Sequence, residues 1–216
     1  MLSTVTLSLL VTVATLVISS VAGVFLARHT FPGRQLLVAL LTLPLAFPGV
    51  VIGFMVIMLG GRQGLIPAIT DALFGTPLIF AYSMVGLFVG YVYFSIPRTI
   101  LTLMAAAEKL DPLLTEAARS LGASHWRVVL DVLVPGLKPA LLAAGAICFA
   151  TAMGAFGTAF TLATRIDVLP MIIYSEFTLA ANIAMASALS FVLGLLTWAA
   201  LAFARQLTGS AVAAAA

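Results

Sequence analysis

Along this chain, long stretches that are apolar at every position alternate with short polar breaks. A stretch of about 20 apolar residues can cross a bilayer as a helix. The pattern predicts five spanning helices, at about 3–27, 36–59, 78–104, 139–163 and 183–204. A membrane strand would alternate apolar and polar positions over about ten residues, and 36–59 is apolar on every face. The predicted fold class is all-α: a polytopic membrane helix bundle, with 1–216 read as a single transmembrane domain. Pro44 and Pro48 cannot continue a helical hydrogen-bond ladder, so they predict a kink in the second span. Gly60, Gly61, Gly64, Pro67 and Pro77 predict a helix-free connection before the third.

One polar stretch, 105–138, is long enough to carry structure of its own. Asp111 followed by Pro112 reads as an N-cap with proline in the first turn. Leu114, Ala117, Ala118 and Leu121 then share one side of a helix, with Glu116 and Arg119 elsewhere on it. Gly122 is placed to close that helix in the left-handed conformation. Ser124 can cap a second helix, in which Trp126, Val129, Leu130 and Leu133 recur at i, i+3, i+4 and i+7. Pro135-Gly136 is expected to end it, with Lys138 marking the return to the interface. An amphipathic pair of this kind could rest on the membrane surface. The mixture of Glu116, Asp131 and Arg119 suits a protein socket better.

Composition agrees: 63% of residues are hydrophobic and 8% are charged, against about 25% charged in a soluble domain. Basic residues gather in cytoplasmic connections. One side holds Arg28, Arg34, Arg98, Lys109, Arg119, Arg127, Lys138 and Arg205, and the other Arg62 and Arg165. Eight against two places the long loop and the C-terminus in the cytoplasm and, with five crossings, the N-terminus outside. Nothing resembles a cleaved signal peptide, and 213–216 is a low-complexity end.

The chemistry that is missing narrows the function. No Gly-x-x-x-x-Gly-Lys-Ser/Thr loop is present to cradle nucleotide phosphates. No Gly-x-Ser-x-Gly elbow offers a nucleophile. His29 and His125 lie in different loops and Cys148 is the lone cysteine, so neither a metal site nor an internal disulfide is expected. An ion-coupled secondary transporter is the main alternative, ahead of a passive channel or membrane scaffold. Such carriers place ionisable groups inside spans, at about 2.5–3.5 kcal/mol each. Here Arg98 is expected one or two turns from the end of its span, within snorkelling reach. A solute path would then be lined by uncharged groups: Tyr91, Tyr93 and Ser95 in the third span, and Thr151, Met153, Thr158 and Thr161 in the fourth. Gly154 and Gly157 would leave room for passage or close helix contact.

Glu116-Ala117-Ala118, three residues, Gly122, nine residues, then Val132-x-Val134-Pro135 resembles the EAA loop. That loop marks the integral membrane permease subunits of binding-protein-dependent ABC importers, the MetI-like fold. The two valines stand where isoleucine and leucine are usual. The resemblance implies that Glu116, Ala117, Ala118, Gly122, Trp126 and Pro135 belong to a coupling hairpin. Glu116 would make a charged contact with a cytoplasmic ATPase, the alanines would permit close approach, and Trp126 would pack on the partner or back on the permease. It further implies an ATPase dimer that binds the ATP and magnesium, with no cofactor on this chain. A second permease subunit and an extracytoplasmic solute-binding protein complete the expected partners, and nucleic acid is not among them. The implied location is a bacterial inner membrane. Relatives commonly carry one more N-terminal helix. Phe156-Gly157-Thr158 and Leu169-Pro170-Met171 resemble the branch of spermidine/putrescine permeases. This makes a polyamine the first expected solute, ahead of ferric iron, phosphonate or a sulfate-type anion.

Overall fold

The computed structural model describes residues 1–162 and 167–213, with side chains to Leu207. Arg165, counted above on the outer side, and Ala214 to Ala216 lie outside the described residues. Among the described residues all regular structure is helical. Five segments are long and apolar enough to cross a membrane: Leu2–Arg28, Gly49–Phe74, Met84–Glu108, His125–Gly154 and Ile183–Leu207.

Helix α1 (Leu2–Arg28) packs along α5 (Met84–Glu108), the most buried of the five spans, and along α8 (Val134–Gly154). It buries a stripe of hydroxyl residues, Thr4, Ser8, Thr12, Thr15 and Ser19, at helical spacing. Small residues let membrane helices approach closely. A Cβ at Gly23 would lie 3.2 Å from the Ile100 carbonyl, which shows how tight that seam is. Ser19 donates to the Ile96 carbonyl at 3.4 Å, and Thr4 accepts from the Leu169 amide at 2.8 Å. Leu7, Val11, Val56, Leu87, Tyr91 and Cys148 are part of the apolar core around this seam.

The second span is broken rather than kinked. Helix α2 (Arg34–Thr42) tightens into a 3-10 turn (Leu43–Ala46), the chain extends at Phe47 and Pro48, and α3 (Gly49–Gly60) starts afresh. Two prolines four apart remove two donors within about one turn, more than a helix absorbs by bending. Beyond it, α4 (Leu65–Phe74) occupies a stretch expected to be helix-free. Pro67 is tolerated there because it sits in the first turn, where backbone N–H groups have no helical partner anyway.

The third span starts six residues later than the hydropathy suggests. Phe80 and Ala81 both donate to the Gly60 carbonyl at 3.0 Å, holding that stretch out of the helix. Ser83 then caps α5 by accepting from the Val85 and Gly86 amides. The helix runs on to Glu108, past the expected end at 104.

The fourth span also differs. Helix α6 (Pro112–Ser120) and α7 (His125–Val128) form the expected pair, but Pro135-Gly136 does not end the second helix. A π-helical turn (Val129–Leu133) carries α7 directly into α8, with Pro135 in the first turn of the new register. The wider turn accommodates a residue with no N–H to give. At the other end α8 stops at Gly154, Ala155 is extended, and α9 (Phe156–Leu162) lies against α3. There Thr158 donates to the Gly49 carbonyl at 2.9 Å, and a Cβ on Gly53 would come within 2.6 Å of the Thr161 Cβ. Helices α10 (Leu169–Thr178) and α11 (Ile183–Ala213) complete the chain. Phe191, Trp198 and Phe203 of α11 are exposed, as lipid-facing side chains are.

Candidate functional site

The hairpin at the basic end is built from local rules. Asp111 Oδ1 accepts from the Leu113 amide at 2.9 Å, the expected N-cap. Gly122 has φ +81°, where a side chain would be strained, and nothing lies near the position of its missing Cβ. The Ala123 amide reaches back to the Ala118 carbonyl at 3.0 Å, the closing bond of a Schellman turn. Ser124 sits at the next N-cap position, but its hydroxyl makes no capping bond.

Charged groups fasten this hairpin to the bundle. Arg28 Nη1, at the end of α1, donates to the buried Thr115 hydroxyl of α6 at 3.1 Å. Arg34 bridges to Glu108 at 2.9 Å and donates from Nε to the Leu26 carbonyl at 2.7 Å. Two spans, the helix that begins at Arg34 and the first hairpin helix are thus tied at one level. Thr115 was not picked out by sequence reasoning. Its place one residue before Glu116, facing opposite the exposed surface, was the available signal.

What the hairpin presents outward is apolar. Trp126 is 77% exposed and Leu121 89%, and Leu113, Leu114 and Leu130 are exposed as well. Trp126 therefore does not pack back onto the permease body. Glu116 and Ala117 are exposed beside it, Ala118 is half-buried, and Pro135 is exposed at the start of α8. Between α1 and the hairpin opens a cleft of about 710 Å³, lined by Phe25, Arg28, Glu116, Arg119, Trp126 and Leu133 among others. A stiff knob of leucines and tryptophan, rimmed by Glu116 and Arg119, is the anatomy of a protein interface: apolar centre, charged edge.

The expected path residues divide into two groups. Tyr91, Met153 and Thr158 are buried and serve packing: the Tyr91 hydroxyl donates to the Ala155 carbonyl, and Thr158 holds Gly49. Tyr93 is exposed on α5. Ser95 and Thr151 meet across a narrow cleft between α5 and α8, together with Arg98, Thr99 and Thr102. Thr161 also packs, donating to the Gly157 carbonyl at 2.9 Å. Gly157 is the close-contact glycine, 3.0 Å from the Val50 amide at its virtual Cβ, whereas Gly154 faces open space. Arg98 is the main correction. With α5 running from Met84 to Glu108, it lies ten residues from the basic end, close to mid-helix. No group of three or more metal-ligating side chains occurs among the described residues.

Residues 19–209 match the family model of the binding-protein-dependent transport system inner membrane component. The chain belongs to this family. The molybdenum transport system permease protein ModB of Escherichia coli strain K12 is 35% identical over 166 residues, 75% of this chain and 72% of that one. The sulfate transport system permease protein CysT of the same strain is 36% identical over 141 residues, 65% of this chain and 50% of that one. A chain in a crystal structure of a bacterial alginate ABC transporter, in complex with an alginate pentasaccharide-bound periplasmic protein, superposes with a TM-score of 0.77. That match covers 96% of this chain and 78% of the other at 17% identity, a likeness of fold. The protein is a MetI-like permease subunit of an ABC importer, and its relatives are transport permeases rather than enzymes.

Proposed function

We propose that this permease carries a tetrahedral oxyanion and is driven by a separate ATPase that docks on the 109–133 hairpin. The observation that carries the docking reading is the outward-facing apolar surface of Trp126, Leu121 and Leu130 on a hairpin fixed to the bundle by Arg28 and Thr115. Exposed apolar patches rimmed by charge mark interaction sites. Glu116 then supplies a charged rim contact, Ala117 and Ala118 allow close approach, and Gly122 keeps the two helices at a fixed angle. ATP closes a pair of ATPase subunits, the hairpin docked in each moves with them, and the bundle changes the side to which it opens. ATP shifts this equilibrium only by binding one state more tightly than the other. The remaining parts of the machine are a second permease, an extracytoplasmic solute-binding protein and a cytoplasmic C-terminus.

The oxyanion reading is supported by relatives named for molybdenum and for sulfate. Molybdenum travels in neutral water as molybdate, which shares the shape and charge of sulfate. These relatives favour the sulfate-type solute over the polyamine expected first. The ion-coupled alternative draws no support from the family. Arg98 does not revive it, because a guanidinium cannot release its proton in a protein.

The test is uptake of radiolabelled molybdate and sulfate by proteoliposomes holding the assembled complex, with labelled spermidine as the competing solute. We expect anion uptake that requires ATP and falls to background in Glu116→Ala and Gly122→Asp, with both variants inserted normally. Spermidine uptake without anion uptake would overturn the substrate reading, and unchanged uptake in both variants would overturn the docking.

A further inference from the structure

Near the middle of α5 sits a cation that no carboxylate meets. About 15 Å of helix, at about 1.5 Å per residue, separates Arg98 from Glu108 at the basic end. Among the described residues the one ion pair is Arg34 with Glu108, and the Arg98 guanidinium has no hydrogen-bond partner. Arg98 is exposed on the surface of the bundle. Intramembrane charges face a bundle interior or a water-filled cavity rather than acyl chains. The face of α5 that carries Phe94 and Arg98, and the adjoining face of α8 that carries Ile147 and Thr151, is therefore turned away from lipid.

Hydroxyl groups flank the cation on the cleft side. Ser95, Thr99, Thr102 and Thr151 line the same cleft. Thr99, Thr102 and Thr151 rest their hydrogens on carbonyls of their own helices, at 3.0, 2.9 and 2.7 Å. Such hydroxyls rotate to suit an incoming acceptor. The cleft itself is small, about 20 Å³, so an anion would rest against its mouth and not inside it. A conducting path needs contacts of this weak kind, strong enough to admit a solute and weak enough to release it.

We propose that Arg98, with the hydroxyls of Ser95 and Thr102 beside it, forms an anion-contacting subsite on the wall of the solute path, near the middle of α5. The subsite rests on the oxyanion reading above and deepens it: a fixed guanidinium attracts a sulfate-like dianion and repels a polyamine.

The experiment uses the complete complex in proteoliposomes, with radiolabelled molybdate and sulfate as probes. Arg98→Gln is expected to lower uptake of both anions about ten-fold or more, the scale of a lost charge-assisted hydrogen bond, while Arg98→Lys recovers most of it. Uptake by Arg98→Gln at the wild-type rate overturns the subsite and leaves the oxyanion reading standing. Wild-type complex that imports neither anion overturns both. If Arg98→Gln and Arg98→Lys both fail, labelling decides. Cys148→Ala removes the chain's one cysteine, and Arg98→Cys is then offered a sulfonated, membrane-impermeant thiol reagent. Labelling that molybdate slows supports the subsite, and no labelling, or labelling that molybdate leaves unchanged, overturns it.

Discussion

Arg28 and Thr115, 87 positions apart in the chain, are joined by a hydrogen bond of 3.1 Å that fastens the first hairpin helix to the end of the first span. Thr115 in turn donates to the Pro112 carbonyl at 2.7 Å, so its hydroxyl both accepts and donates. A bond to a charged donor contributes about 1.5–3 kcal/mol. Thr115→Val keeps the volume and removes the acceptor. We expect the variant to lower the thermal midpoint of the purified complex and the amount of solute moved per ATP, with Thr115→Ser close to wild type. Equal coupling in the valine variant would show that the bond does not hold the hairpin in its working position.

Trp126 separates docking from packing. Because most of its surface is bare, Trp126→Ala should leave the melting temperature of the permease unchanged. A buried aromatic anchor at an interface is worth about 2 kcal/mol or more, so affinity for the ATPase should fall at least about 30-fold. Both are measurable on one preparation, by unfolding in detergent and by titration of labelled ATPase. A large loss of stability with unchanged affinity would place Trp126 in the permease fold instead.

At Gly122 the strain is conformational. The left-handed conformation costs an ordinary L-residue about 1–2 kcal/mol, and no neighbour obstructs a methyl group there. Gly122→Ala should therefore weaken coupling partially, and Gly122→Asn, which tolerates this region better, should be milder. Solute-stimulated ATP hydrolysis across the pair checks the order.

Two glycines of similar appearance in the sequence should behave oppositely. A methyl at Gly53 would collide with Thr161 at the crossing of α3 and α9, whereas one at Gly154 meets nothing. Gly53→Ala should destabilise the bundle by about 1–3 kcal/mol, the usual cost of overpacking. Gly154→Ala should leave stability unchanged. Comparing the thermal midpoints of the two variants settles the matter.

Hydropathy found five spans because a bilayer demands long apolar helices whatever their packing, and capping chemistry located the hairpin because Asp111 and Gly122 act on their own neighbours. What escaped the reading depends on contacts made at a distance. Gly60 captures Phe80 and Ala81, which delays α5 until Ser83 can cap it and shifts Arg98 toward mid-span. Composition cannot register such a displacement, since 78–83 is as apolar as the helix that follows. Pro135 misled for a related reason: a proline stops an α-helix, but a π turn immediately before it lets the chain continue. The hydroxyl stripe of α1 was visible in the spacing of Thr4, Ser8, Thr12, Thr15 and Ser19. It is a packing seam, whereas Ser95 and Thr151 share a cleft with Arg98.

From His125 to Gly154 the backbone is one unbroken rod of 30 residues, about 45 Å at about 1.5 Å each. A tilt imposed on Trp126 at one tip is passed along the helix toward Gly154 and the α9 crossing, less what the π turn at Val129–Leu133 and Pro139 take up by bending.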